Sequence, residues 1–468
     1  MSAYFEKSYT DGFFNVGNKN GFLPIKDPLI RLPDTYVDLQ KIINELHVFQ
    51  ENNGQGILAI PNLIEEKVNS LSNLSEQVKS ENDIFVLQAL YRAYTFITSA
   101  YTLELSYQEF IKSGNYGKAR TILPENISVP LVEVSNKLQV YPWLDYHYAY
   151  SLGNYVKKDP NGTLDWENLD MACKFTGTSD EIGFIMVHVY INELTPNLVG
   201  SVMEYGKTKD INYLKECAFT MELINKRRRS MWSASRHERY NDFRIFIMGI
   251  KGNEGIFGDG LIYTGCYDNK PQKFRGQTGA QDSIIPMIDI FSGIVDYYPE
   301  NELTNYLMDL RSYRPSCVQE FFKDLREYYK SNPIFNELKK TNNYEGLVYL
   351  LKIVDEVYLF RNGHWQFVQK YIMSNTKYAF ATGGTPITTW LINQIEGVLE
   401  FERVIIDYVN KNLTDELSNQ ELWIKLRNEY ALKKELLLSQ VSELKKSNYD
   451  VNLIYLKNAE LKLEDSKL

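Results

Sequence analysis

Residues 178–196 read TSDEIGFIMVHVYINELTP, and this stretch decides the fold class. Thr178 and Glu181 have the three-residue spacing of a helix N-terminal capping box, and Pro196 marks the far end. Between them the run IGFIMVHVYI is apolar on nearly every side of a helix, with one histidine, His188, inside it. A helix that is apolar all round is buried, so the stretch predicts an interior helix over 180–195.

Helical periodicity continues on both sides of this stretch, while the first forty residues, with several prolines, are expected to be irregular. The sequence therefore predicts an all-α protein. Residues 249–282 are rich in glycine, and so long an irregular stretch inside a helical protein is typical of a functional loop. The further predicted helices span residues 37–46, 82–112, 209–232, 284–296, 317–330, 344–371 and 386–410.

Prolines divide the chain into candidate domains. Pro124, Pro130 and Pro142 make residues 121–142 the best candidate for an interdomain connection. We expect a small N-terminal helical domain over 1–138, a large helical domain over 139–410 and a C-terminal helical extension over 411–468. In the extension, Ser418 and Glu421 have capping-box spacing before an amphipathic helix. This helix packs on the body of the protein or mediates dimerisation or partner binding.

The charge balance limits the classes of partner that the protein can bind. The 468 residues carry 51 basic and 60 acidic side chains, a net charge of -9, which argues against a general nucleic-acid binder. One dense basic run, Lys226 to Arg229, is interpreted as a solvated helix end or, alternatively, as an anion contact. No stretch approaches the length of a membrane span. Four widely separated cysteines fit reduced thiols, so the sequence predicts a cytoplasmic protein without a membrane partner.

Three of the five histidines stand in apolar or aromatic surroundings: His147, His188 and His364. A buried imidazole without a partner is unfavourable, so each is either a satisfied core residue or a ligand. A haem with a histidine ligand accounts for at least one of them. The sequence has no nucleotide-binding glycine motif, no GxSxG elbow, no HExxH motif and no Cys-x-x-Cys pair.

Ten short motifs in fixed order resemble the indoleamine 2,3-dioxygenase family from about residue 15 to about residue 405. The resemblance implies an all-α, two-domain fold with haem b held in the larger domain and dioxygen as co-substrate. The motifs are ILPENISVPL, PWLDYHYAYSLGNYVKKDPN, WENLDM, GFIMVHV, FRIFIMGIKGN, GDGLIYTG, FRGQTGAQDS with PMIDIFSG, LMDLRSYRP, RNGHWQFVQKYI and ATGGTP.

On the haem side, the resemblance places the iron ligand at His364, in RNGHWQFVQKYI. It implies that Arg361, one turn earlier, pairs with Asp289 or reaches a haem propionate, although an ordinary salt bridge between helices would use the same residues. Gly276 and Gly279 match the loop beside the distal haem face.

On the substrate side, Arg244 matches the family's clamp for the substrate carboxylate, a role that suits a bidentate guanidinium. Thr382 and Gly383, within residues 381–385, match a flexible loop that closes over the substrate. The resemblance also implies an apolar, indole-sized slot lined by Phe184, Ile247 and Ile372.

The chain departs from the family pattern at His188, where mammalian members have a small serine on the distal side. A distal histidine at this position is similar to that of tryptophan 2,3-dioxygenase, which accepts the indole N–H. His147 stands where a tyrosine is usual, and Arg239 where a pocket phenylalanine is common. We expect His188 to act in catalysis and His147 to contact the substrate.

Three functions are compatible with these residues. The first is cleavage of the C2–C3 bond of L-tryptophan to N-formylkynurenine, with an external reductant for the haem. The second is a haem-dependent oxidation or rearrangement of a modified tryptophan or another indole in secondary metabolism. The third is a non-catalytic haem or ligand sensor. Self-association through the C-terminal helix is open in each case.

Overall fold

A computed structural model describes residues 3–50, 54–374, 380–384, 387–447, 451 and 453–455. Helices dominate, as predicted, because most of the chain has apolar residues at three- and four-residue spacing. The α-helices, in chain order, are α1 (Ala3–Glu6), α2 (Val37–Glu45), α3 (Leu63–Ser70), α4 (Ser75–Ser80), α5 (Ile84–Ser113), α6 (Glu125–Leu138), α7 (Ser179–Asn192), α8 (Thr195–Thr208), α9 (Asn212–Arg228), α10 (Met231–Ala234), α11 (Tyr240–Arg244), α12 (Glu254–Phe257), α13 (Ile284–Ser292), α14 (Glu302–Arg311), α15 (Ser316–Ser331), α16 (Ile334–Lys340), α17 (Tyr344–Phe367), α18 (Ile387–Lys411), α19 (Asp415–Ser418) and α20 (Glu421–Lys446).

The strands are two or three residues long and serve to hold loops together. β1 (Tyr9–Thr10) and β2 (Asn15–Val16) are antiparallel, as are β4 (Tyr155–Lys157) and β5 (Leu169–Met171). β3 (Ile122–Leu123) runs parallel to β6 (Leu261–Tyr263), which pairs in turn with β7 (Pro271–Gln272). The all-α prediction is therefore confirmed.

Residues 121–142, the candidate interdomain connection, contain regular secondary structure. They form β3 and the helix α6, which packs against the long central helix α5. Pro130 lies within α6 and is buried. α5 also packs directly against the π-helical turn Tyr146–Tyr150, on the other side of the expected domain boundary. The division at 138/139 stays a prediction.

The Thr178 half of the capping box predicted for α7 is present, whereas the Glu181 carboxylate bonds residues before Thr178. The Thr178 hydroxyl accepts from the backbone N–H of Glu181 at 3.3 Å, and the Glu181 carboxylate accepts from the backbone of Phe175 and Thr176. α7 is buried along most of its length. Pro196 lies in the first turn of α8, because a proline at that position loses no intrahelical hydrogen bond. It therefore opens the next helix as well as closing the stretch.

The helix α17 runs through the centre of the large helical region and packs against α18, α9 and α13. The single helix expected over 344–371 changes character after Phe367, where a π-helical segment, Val368–Met373, follows. Such wider turns are frequent at functional sites.

The C-terminal helix α20 lies against α17 and α18 of the same chain. Its buried face carries Trp423, Leu426, Leu437, Val441 and Leu444. The first of the two predicted interpretations, packing on the body, therefore holds for this helix. The predicted cap at Ser418 was wrong, because its hydroxyl bonds the carbonyl of Asp415 and Gln420 precedes the helix instead.

Among the described residues, no helix is long and apolar enough to cross a membrane.

Candidate active site

One internal cavity joins the segments that the motifs singled out. A second, smaller space adjoins it. Both spaces share His364 and Gly279 in their walls. Helices α7, α9, α17 and the glycine-rich stretch all contribute to the first. Its lining includes Phe184, His188, Arg228, Tyr240, Ile247, Gly279, Asp282, Tyr306, His364, Tyr371, Ile372 and Thr382.

His364 projects from α17 into this cavity. Burial lowers the pKa of its imidazole to about 4, and the nearby Arg228 guanidinium acts in the same direction. The ring is therefore neutral at physiological pH, which is the protonation state that binds a metal ion. A buried, neutral imidazole facing a large cavity is suited to ligate iron.

The predicted pair behind His364 is present. Arg361 Nη2 lies 2.6 Å from Asp289 Oδ2, and both side chains are buried. Tyr298 donates to the same carboxylate oxygen, and Arg361 also bonds Gln394. Burial raises the pKa of Asp289, while Arg361 opposes the rise. These contacts tie α17 to α13 and fix the helix face from which His364 projects.

His188, on α7, lines the cavity with His364. Its Nδ1 lies 3.0 Å from the carbonyl oxygen of Phe184, so Nδ1 carries the proton and donates. Burial lowers the pKa of the ring, which is therefore neutral, with the lone pair on Nε2. An ideal Cβ at Gly279 would lie 3.4 Å from Nε2, so Nε2 points toward the glycine segment. The geometry provides a hydrogen-bond acceptor at the cavity wall.

A polar network joins His188 to Asp282, which also lines the cavity. Asn192 donates to the His188 carbonyl and to Asp282 Oδ2, each at 2.8 Å. Tyr146 donates to the same Asp282 oxygen at 2.7 Å. Sequence analysis missed Asp282, although it lies within the quoted motif FRGQTGAQDS.

An apolar slot forms one side of the cavity. Phe184, Ile247 and Ile372 all line it, as the resemblance implied. Tyr240 and Tyr371 complete the wall, with the ring centroids of Phe184 and Tyr240 4.8 Å apart. Among 34 tyrosines, no sequence signal distinguished these two.

Arg244 is fully buried beside the cavity, and it is absent from the residues that line it. Its Nη1 donates to the Tyr116 hydroxyl at 3.0 Å and its Nη2 to the carbonyl of Phe380 at 2.6 Å. Phe380 directly precedes the 381–384 glycine segment. The arginine is thus coupled to the segment that the resemblance describes as a closing loop.

The two glycine-rich segments lie against each other, where only glycine fits. A Cβ at Gly276 would meet Gly249 N at 2.3 Å, and one at Gly384 would meet the Lys251 carbonyl at 2.1 Å. Gly249 also donates to the Thr382 carbonyl at 2.7 Å. Thr382 lines the cavity, whereas Gly276 and Gly383 support it from behind. Thr385, the last residue of the predicted loop, lies outside the described residues.

His147 lies one layer behind the cavity. It is fully buried, its Nε2 is 3.2 Å from the Ser283 hydroxyl, and burial holds the pKa of its ring well below the usual value. It does not join the residues that line the cavity, so its contact with the substrate stays a prediction.

These features define a class of protein: an all-α protein with an apolar-walled cavity lined by two neutral histidines, His364 and His188. In the described part of the chain, no group of three or more His, Cys, Asp and Glu side chains is placed to hold a metal ion unaided. A haem iron can be held by a single protein side chain because the porphyrin supplies nitrogen ligands of its own. The buried, neutral His364 and the apolar walls of the cavity would fit this group.

Comparisons with known proteins agree with this class. Residues 11–391 match the family model described as indoleamine 2,3-dioxygenase. The chain is 29% identical over 324 residues to indoleamine 2,3-dioxygenase 1 of Rattus norvegicus, covering 67% of this chain and 73% of the relative. It is 26% identical over 392 residues to indoleamine 2,3-dioxygenase of Saccharomyces cerevisiae, covering 77% and 80%.

The chain belongs to the indoleamine 2,3-dioxygenase family. It is therefore a haem-dependent dioxygenase, with haem b as cofactor and dioxygen as co-substrate. The resemblance drawn from its motifs is confirmed.

Proposed function

We propose that this enzyme cleaves the indole C2–C3 bond of L-tryptophan with dioxygen to give N-formylkynurenine. The observation that supports this most is a single cavity lined by a neutral His364, an acceptor nitrogen of His188 and apolar side chains that form a slot. Few other groups are needed, because orientation and exclusion of water supply much of the rate in such a reaction.

We assign His364 as the iron ligand and the Asp289–Arg361 pair as the contact that orients it. When bound there, the ferrous haem supplies the dioxygen-activating iron. Phe184, Ile247 and Ile372 hold the indole ring and keep water out.

His188 Nε2 accepts the indole N–H in this proposal. Its other nitrogen is held by the Phe184 carbonyl, so the acceptor orientation is set before the substrate binds. The Tyr146–Asp282–Asn192 network holds the backbone of His188 through its own carbonyl. Orientation that is present in advance adds to the rate because it is not created during the reaction.

Arg244 binds the substrate carboxylate in this proposal. For that, its Nη2 exchanges the Phe380 carbonyl for a carboxylate oxygen, a stronger charge-assisted acceptor. Because Phe380 precedes the 381–384 segment, substrate binding at Arg244 would move that segment.

The second candidate is oxidation of a modified tryptophan or another indole. The buried polar network of His188, Asp282 and Tyr146 favours it, since the site can bind substrate groups that an apolar pocket would exclude. A test compares kcat/KM and product mass for L-tryptophan, tryptamine and ring-substituted tryptophans. We expect L-tryptophan to be preferred and to gain the mass of two oxygen atoms; preference for another indole, or a different mass gain, contradicts the first proposal.

We further propose a cytoplasmic location, supported by four free cysteines, and an external protein or small-molecule reductant for the iron. Leu432 and Leu436 are exposed on the outer face of α20 and are the residues that self-association through this helix would use. Sedimentation of the full chain tests this, with Leu432→Glu as the disrupting variant. A monomer at all concentrations contradicts it.

A further inference from the structure

The basic run at residues 226–229 contains one arginine that turns into the protein. Arg228 is 9% exposed and lines the cavity that holds His364, whereas its neighbour Arg229 is exposed. The side chain lies on α17: an added Cβ at Gly363 would come within 2.1 Å of Arg228 Nη2. Glycine at 363 therefore makes room for a guanidinium directly beside the iron ligand.

The hydrogen bonds of Arg228 are weak for a buried cation. Its Nε lies 3.5 Å from Asn225 Oδ1 and its Nη2 lies 3.4 Å from the Leu359 carbonyl, and both acceptors are uncharged. Within the described part of the chain, Nη1 has no hydrogen-bond acceptor and no carboxylate lies within ion-pair distance of the group. The neighbouring Glu356 is already bound by Lys352 and Asn225.

Other buried arginines of this protein are better satisfied. Arg361 has the Asp289 carboxylate at 2.6 Å. Arg314, which likewise has no carboxylate, donates to three carbonyl oxygens at 2.9, 3.1 and 3.2 Å. Arg228 has neither a carboxylate partner nor a set of close carbonyl acceptors. Its guanidinium lies near the rings of Phe360 and Phe367, 5.4 and 5.3 Å from their centroids.

A buried charge without a counterion is strongly unfavourable, and proteins retain one where a ligand supplies the opposite charge. A guanidinium stays protonated at neutral pH, so the charge persists. An anion bound in the cavity would restore the balance. The planar fork of a guanidinium matches a carboxylate.

We propose that Arg228 is a carboxylate-binding site in the wall of the haem cavity, and this rests on the proposed haem function. Two components of the reaction carry carboxylates: the haem, through its propionates, and the amino-acid substrate. The site is distinct from Arg244 and from Arg361, since Arg228 lies on the Gly363 flank of His364 and contacts neither.

The test uses the full chain without haem, titrated with haem and with haem dimethyl ester, which lacks the propionate charges. We expect Arg228→Met to lower the affinity for haem about 10- to 100-fold, the range for a hydrogen bond to a charged group, and to change the affinity for the ester less than threefold. Arg229→Met removes the same charge from the adjacent exposed position and should leave both affinities within twofold.

If the carboxylate comes from the substrate, a second comparison detects it. In the haem-loaded protein, Arg228→Met then weakens L-tryptophan binding about tenfold or more while tryptamine, which has no carboxylate, binds as before. Either selective loss supports the site. The proposal is overturned if two ratios both stay within twofold of their values in the unmodified protein. These are the ratio of haem affinity to ester affinity and the ratio of L-tryptophan affinity to tryptamine affinity.

Arg228→Lys serves as the second variant in case the methionine variant does not fold, which far-UV circular dichroism would show. Lysine keeps the charge but loses the bidentate geometry, so it should retain part of the selectivity; full loss of haem and ester affinity alike would indicate a packing role and overturn the proposal. Because binding is measured without turnover, failure of this inference is distinct from failure of the dioxygenase assignment.

Discussion

The strongest stability prediction concerns Lys433, which fastens the C-terminal helix to the helix of His364. Lys433 is 7% exposed, and its ammonium contacts the Asp355 carboxylate and both oxygens of Glu402, at 3.0 and 3.1 Å. Asp355 lies on α17 and Glu402 on α18, and each is 1% exposed. Lys433 thus contacts buried acids from two helices, and Lys352 also lies 3.6 Å from Asp355.

Replacement of Lys433 by methionine keeps most of the volume and removes the charge. Removing one partner of a buried ion pair lowers the free energy of unfolding by about 3–5 kcal/mol, because the remaining charge stays buried without a partner. At pH 7 we expect a loss within this range for Lys433→Met. Lys425→Met, at an exposed pair of 3.9 Å to Glu429 in the same helix, should cost below about 1 kcal/mol.

The loss should depend on pH. Burial raises the pKa of Glu402 to about 7, although Lys433 opposes the rise. A folded-state pKa above the unfolded value means that the folded protein binds more protons than the unfolded chain. The stability that Glu402 contributes is therefore present at acidic pH and is lost as the pH rises through about 7. Without Lys433, Glu402 can still be neutralised by protonation, so the penalty should be smaller at pH 5 than at pH 7.

Urea unfolding followed by far-UV circular dichroism at pH 5 and pH 7 measures both effects. A loss at pH 7 of below about 1 kcal/mol, equal to that of Lys425→Met, would refute the account of the buried network. An equal penalty at both pH values would refute the titration argument even if the loss is large.

Three further substitutions test the site. His364→Ala should abolish haem binding, measured by Soret absorbance of the purified protein; full haem content would contradict the ligand assignment. His188→Ala should lower kcat/KM for L-tryptophan about three- to tenfold but not for 1-methyl-L-tryptophan, which has no indole N–H, and an equal fall for both would contradict its acceptor role. Arg244→Ala should raise KM for L-tryptophan about 10- to 100-fold and leave tryptamine unchanged; a fall in kcat alone would argue against a carboxylate clamp.

Local patterns made much of the fold predictable. The cap and apolar periphery of α7 predicted an interior helix, and the predicted ranges of α5, α15 and α18 agree with the structure to within two residues at each end. One error arose where a serine was given too much weight. Ser418 bonds within its own short helix instead of capping α20.

The site was predictable in its motif residues and not in its tertiary partners. His364, His188, Phe184 and Ile247 meet in one cavity because their helices cross there, as the family resemblance implied. Tyr240, Tyr306 and Tyr371 reach the cavity through packing that no local pattern encodes. In the sequence, Arg228 was recognisable only as part of the basic run 226–229. Its burial could not be predicted because it depends on Gly363, which belongs to another helix.

The central claim is insertion of both atoms of dioxygen into an indole substrate. Its most direct test supplies the reduced, haem-loaded protein with L-tryptophan and isotopically labelled dioxygen, and measures the product mass. The account predicts N-formylkynurenine that contains two labelled oxygen atoms. A product with one labelled atom or none, from protein that binds both haem and tryptophan, would contradict it.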